Sequence, residues 1–145
     1  MCLSSLDHCS IRTVKLDETR DFYVDILGMD DGDRPDFPFP GNWLYVDGVA
    51  VVHLVGVDPD DPSGLQQYLG GDISAEALDG SGAFDHIAFR AKDPDVLIGR
   101  LKEKGYPFRE RQVPSMDLFQ VFVEDPNGIT AVSYTHLTLP TICSV

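Results

Sequence analysis

Hydrophobic and polar positions follow one scheme twice along this chain. From Leu6 to Val14 apolar and polar residues alternate with a period of two, which predicts a strand with two unlike faces. The period then lengthens. Phe22, Tyr23, Ile26 and Leu27, within Thr19 to Leu27, recur at helical spacing and stop at Gly28. After a proline-bearing stretch, Trp43 to Val46 and Val49 to Val55 flank Asp47-Gly48, a dipeptide that predicts a tight hairpin. The second half repeats the order. Ala83 to Ala91 reads as a strand, and Asp93 to Lys104 as a helix with Val96, Leu97 and Leu101 on one side and Gly105 as its stop. Leu118 to Val123 and an apolar run from Ile129 follow, joined by an Asp125-Pro126-Asn127-Gly128 turn. Asp17 and Asp93 suit helix starts. Each half therefore predicts a strand, a helix, then two or three strands.

The repeat is also visible residue by residue. Leu-Asp-His-Cys-Ser-Ile-Arg at 6–12 matches Phe-Asp-His-Ile-Ala-Phe-Arg at 84–90, with His8 and His86 at an offset of 78 residues. These patterns predict one domain over residues 1–132, built of modules at about 5–57 and 83–132 and joined by a linker at 58–82. The acidic start of that linker (Asp58, Asp60, Asp61) reads as a solvated loop. Gly80-Ser81-Gly82 is too short for a nucleotide-binding fingerprint. Residues 133–145 are atypical. From Ala131 to Val145 there is no Asp, Glu, Lys or Arg, in a chain that is 24% charged. A non-native tail is expected there, such as a cloning scar or a frameshifted end.

Composition narrows the function classes. The 145 residues suit a single domain, and 43% hydrophobic content suits a packed core. The net charge of −13 argues against nucleic acid, whose binding rests on Lys and Arg neutralising phosphates. It equally argues against an anionic membrane surface. No apolar run approaches the roughly 20 residues of a membrane span. Met1 to Asp7 has no secretion-signal character. Cys2, Cys9 and Cys143 are odd in number and lack metal spacing, so a reduced, cytoplasmic protein is expected.

The candidate chemistry lies in the histidines. Strand alternation puts His8, Ser10 and Arg12 on one face, His86, Ala88 and Arg90 on another, and His53 with Val51 and Val55 on a third. If the two copies pack about a pseudo-twofold axis, His8, His53 and His86 can converge. Convergent imidazoles commonly hold a divalent transition metal. Each also has a plainer reading as a satisfied core or edge residue. Arg12 and Arg90 can take a substrate carboxylate or form structural ion pairs. Trp43, Tyr45, Phe37 and Phe39, near a Pro-Gly loop, can wall a pocket or pack in the core. Neither Cys-x-x-Cys nor His-Glu-x-x-His occurs, nothing marks a nucleophile elbow, and no catalytic residue is assigned.

Four stretches together resemble the vicinal oxygen chelate superfamily of glyoxalases, bleomycin-resistance proteins and ring-cleaving dioxygenases. They are residues 6–12, Thr-Arg-Asp-Phe-Tyr-Val-Asp-Ile-Leu-Gly-Met at 19–29, Phe-Asp-His-Ile-Ala-Phe at 84–89, and Val-Glu-Asp-Pro-Asn-Gly-Ile-Thr at 123–130. The resemblance covers about residues 5–132. It implies an α+β fold of two βαβββ modules forming a cupped mixed sheet. It implies a divalent metal (Zn, Ni, Co, Mn or Fe(II)) held by His8, His53 and His86. It also implies a small-molecule substrate chelated through vicinal oxygens, lyase or isomerase chemistry, and a homodimer. A ring-cleaving dioxygenase, a metal-free drug-binding dimer and an inactive relative are the alternatives. The fourth metal ligand in the family is a glutamate four residues after the turn glycine, and here that position is Val132. His136 lies about 13 Å further along the strand and would need a four-residue slip to replace it.

Overall fold

The computed structural model describes residues 2, 5–61, 63, 64, 66, 80, 84, 86–113 and 117–137. Most of the 58–82 linker, Asp85, Cys143 and the chain from Thr138 onward lie outside the described residues. The chain divides into two compact units, Met1–Gly82 and Ala83–Val145.

Module one runs β1 (Cys9–Thr13), α1 (Leu16–Asp21), β2 (Asp30–Gly32), β3 (Gly41–Val46) and β4 (Val49–Gly56). The sheet order is β1-β4-β3-β2, with β1 parallel to β4 and the other pairs antiparallel. Alternation decides its two faces. Ile11 and Thr13 of β1, Leu44 of β3, and Val52 and Leu54 of β4 are buried, and Phe22, Tyr23 and Ile26 supply the helical side of the core. The predicted helix over 19–27 begins earlier, at Leu16, and changes character midway. α1 continues as a π-helical turn at Phe22–Ile26, in which the Leu27 N–H reaches back five residues to the Phe22 carbonyl at 3.2 Å. The wider turn buries Phe22 and Tyr23 side by side, edge to face at 4.9 Å. Asp17 sits in the first turn rather than capping it. The entry is fixed instead by two buried threonines. Thr13 Oγ1 accepts from the Lys15 N–H at 2.8 Å, and Thr19 Oγ1 donates to the Lys15 carbonyl at 2.7 Å. Gly28, at φ 83°, ends the segment as the sequence predicts. The Asp47-Gly48 hairpin also forms, with φ of 49° and 80° at its two positions, as the mirror-image turn requires.

Module two repeats the plan with β5 (His86–Arg90), α2 (Pro94–Glu103), β6 (Arg109–Val113), β7 (Leu118–Glu124) and β8 (Thr130–His136). Its order is β5-β8-β7-β6, again with the first and last strands parallel. The β7–β8 turn is held by Asp125, whose Oδ1 accepts from the N–H groups of Asn127 and Ile129 at 2.7 and 2.9 Å. Two βαβββ modules, each with a four-stranded mixed sheet, make the fold α+β.

The strands the sequence did not resolve are β2 and β6. Both are exposed edge strands rich in charge, Asp-Asp-Gly and Arg-Glu-Arg-Gln-Val, and neither shows apolar alternation. Charge on an edge strand discourages pairing with another chain. β8 places Ala131, Ser133 and Thr135 on one face with Val121 and Val123 opposite them or nearby. Val132 and Tyr134 take the other face, opposite Phe122 and Gln120 on β7 and alongside Ala88 and Arg90 on β5.

Candidate ligand site in module one

Strand register gathers three rings on the exposed side of the first sheet. Trp43 of β3 lies directly across from His53 of β4. On the other flank, Ser10 of β1 pairs with His53, so His8, two residues earlier, falls diagonally beside it on the same face. The rings stack in the order His8, His53, Trp43. His8 and His53 are 3.8 Å apart between centroids with planes 14° apart, and His53 and Trp43 are 4.0 Å apart with planes 11° apart.

Hydrogen bonds set the tautomers. His53 Nε2 lies 3.1 Å from the Ala50 carbonyl, which only accepts, so Nε2 carries the proton and Nδ1 keeps its lone pair. His8 Nδ1 donates to Asp7 Oδ2 at 2.6 Å. Burial pushes the His53 ring below the usual histidine range, and the neighbouring His8 adds to the shift. A neutral His53 stacks without having to shed a charge from the pocket.

These rings line a cavity of about 600 Å³ together with Asp7, Ser10, Arg34, Phe37 and Phe39. Phe37 meets Trp43 at 6.4 Å and 47° and stacks on Phe39 at 5.3 Å. Arg34 lies over both phenyl rings, 5.1 Å from each centroid, and donates to the Phe39 carbonyl at 2.7 Å. Phe37 and Phe39, which the sequence offers as pocket walls or core, line the cavity; Arg34 did not stand out as chemistry in the sequence. The only signal was an aromatic-proline loop, Phe-Pro-Phe-Pro at 37–40, preceding a strand.

The remaining candidates are placed as follows. Tyr45 donates to the Asp33 carbonyl at 2.6 Å and bridges β3 to the loop after β2. Arg12 lies on β1 opposite Val55 and does not line the cavity. His86 and Arg90 belong to β5 of module two, and Arg90 lies over Tyr134 with its guanidinium 5.6 Å from the ring centroid. A second cavity, about 440 Å³, sits in module two between Tyr106, Arg109 and Phe122, and none of the predicted site residues lines it.

A divalent metal can be tested against these residues. The structure brings His8 and His53 together, but as a stack. A bound ion lies near the plane of each imidazole that holds it. Two nearly parallel planes do not meet within a metal–nitrogen bond of about 2.1 Å. Val132, at the position the family resemblance gives to a carboxylate ligand, is a buried hydrocarbon. Among the described residues, no group of three His, Cys, Asp or Glu side chains is placed to hold a metal. As stacked, the His8–His53 pair of module one does not fit the ion.

The fold agrees with the comparisons. Residues 5–132 match the sequence model of the Glyoxalase/Bleomycin resistance protein/Dioxygenase superfamily, and the chain belongs to that superfamily. It is 27% identical over 129 residues to Glyoxylase I 4 of Arabidopsis thaliana, a match spanning 87% of this chain and 67% of that one. Among solved structures it resembles TnmS3, an antibiotic binding protein from Streptomyces sp. CB03234. That match has a TM-score of 0.64 at 21% identity and covers 94% and 98% of the two chains. It also resembles lactoylglutathione lyase from Agrobacterium tumefaciens, with a TM-score of 0.59 at 17% identity over 93% and 96%. No helix among the described residues is long and apolar enough to cross a membrane.

Proposed function

We propose that the module-one cavity binds a small organic molecule by ring stacking, without a metal ion. The observation that carries this reading is the three-ring stack. His8, His53 and Trp43 are ordered by strand register and lie on the wall of a cavity of about 600 Å³, a size suited to a small ligand. Stacked aromatic surface contributes about 0.5–1.5 kcal/mol per ring pair beyond burial. One structural neighbour, TnmS3, is an antibiotic binding protein. Supporting the reading further, Val132 removes a carboxylate that metal chemistry would use.

The test is a thermal-shift screen of small aromatic compounds in the presence of chelator. Hits should raise the melting temperature of the unsubstituted chain and lose their effect in Trp43→Ala. A screen whose hits act equally on Trp43→Ala would refute the stacking site.

One observation favours a second reading, a metal-dependent lyase or isomerase. A plant glyoxylase I relative matches 87% of this chain. Metal analysis after purification without chelator separates the two. About one equivalent per chain, lost in His8→Ala, would support the metal reading; none after exposure to Zn, Ni, Co, Mn or Fe(II) would remove it.

A further inference from the structure

We propose that the module-one cavity selects a planar aromatic acid, with the ring laid against Trp43 and Phe37 and the carboxylate held by Arg34. This rests on the ligand-site reading above and adds the ligand's chemical class. The argument begins with Arg34. One Nη2 hydrogen is committed to the Phe39 carbonyl, and the flat of the guanidinium is committed to Phe37 and Phe39. Its remaining N–H groups have no carboxylate within ion-pair distance among the described residues; Asp36 attracts it only from further away. Partial burial disfavours its charge, and a bound anion offsets that. A guanidinium locked by aromatic faces and one backbone bond presents its other donors in a fixed fork, which matches a carboxylate.

Phe37 ties this cation to the stack. The same ring has the Arg34 guanidinium 5.1 Å from its centroid and meets Trp43 at 6.4 Å. A ligand with its flat face on Trp43 therefore has a cation within reach of a substituent on its edge. The opposite charge in the cavity, Asp7, is already bonded to His8 Nδ1, at the far end of the stack from Trp43. An aromatic amine would find no such partner beside Trp43.

The experiment is titration calorimetry of the full chain, with chelator present, using naphthoate, its primary amide, and naphthylmethylamine. The acid should bind more tightly than the amide by about tenfold or more, as expected for a charge-assisted pair. Arg34→Gln should bring acid and amide to the same affinity, whereas Arg34→Lys should keep part of the preference. Both variants are checked for an unchanged melting temperature, and Arg34→Lys carries the test if Arg34→Gln melts early. Equal binding of acid and amide, or a preference for the amine, would overturn this inference while leaving the stacking site standing. No binding of any of the three would overturn both.

Discussion

Strand β8 carries a perturbation whose sign is set by the structure. Ser133 and Thr135 share the face that turns toward Val121 and Val123, and they are only 7% and 8% exposed. Neither hydroxyl has a hydrogen-bond partner among the described residues. A buried, unsatisfied hydroxyl costs about 1–3 kcal/mol, and removing it without changing shape recovers that cost. Thr135→Val is nearly isosteric, and Ser133→Ala deletes one atom. Two neighbours on one face do not add fully, so the double variant should gain about 2–4 kcal/mol. At about 2–4 °C per kcal/mol for a chain of this size, that is a rise of roughly 4–16 °C in melting temperature. Thermal and urea unfolding followed by far-ultraviolet circular dichroism measures it. Fluorescence of Trp43, the single tryptophan, reports module one separately. Thr135→Ser keeps the hydroxyl and should show no gain. A double variant no more stable than the unsubstituted chain would mean that the hydroxyls are satisfied, and would refute the reasoning. Polar residues on the buried face are what a strand of foreign origin shows, and we propose that origin for residues 133–145.

Three further outcomes follow from local geometry. Burial pushes the Cys9 thiol above its usual value, so iodoacetamide at pH 8 should label exposed Cys2 well before Cys9 in peptide mass spectra; comparable rates would contradict the burial. Asp125→Ala strips the acceptor from the Asn127 and Ile129 N–H groups in a buried turn and should cost about 1.5–3 kcal/mol in urea unfolding. A loss below about 0.5 kcal/mol would show that the turn does not depend on the carboxylate. Gly48→Ala isolates a backbone effect, because an added Cβ meets nothing within 4 Å while φ is 80°; a loss of about 1–2 kcal/mol is expected, and no loss would sink the turn assignment.

What the sequence revealed and what it hid have physical reasons. The βαβββ repeat was legible because Asp-His motifs, helix-stopping glycines and the Asp47-Gly48 hairpin are local signals. β2 and β6 were hidden because edge strands carry charge in place of alternation. The π-helical turn at Phe22–Ile26 was hidden because adjacent apolar residues fit an α-helical stripe equally well. Within the site, strand alternation groups His8 with Ser10 and His53 with Val51 and Val55, but it does not give the ring geometry. Whether two imidazoles converge on a point or stack is decided by side-chain torsions and by a third ring, Trp43, that pairs across from His53. Arg34 was overlooked because a single arginine in an irregular loop has no periodicity. Its role depends on Phe37 and Phe39 folding onto it.

The most direct measurement is a titration of chelator-treated protein with naphthoate, followed by Trp43 emission. Trp43 is the single tryptophan and forms one end of the ring stack, so every change in emission reports from the cavity wall. The account predicts a saturable change that survives excess chelator and disappears in His53→Ala, where Trp43 loses its stacking partner. A flat titration, or a change that appears only after a divalent metal is added, would contradict it.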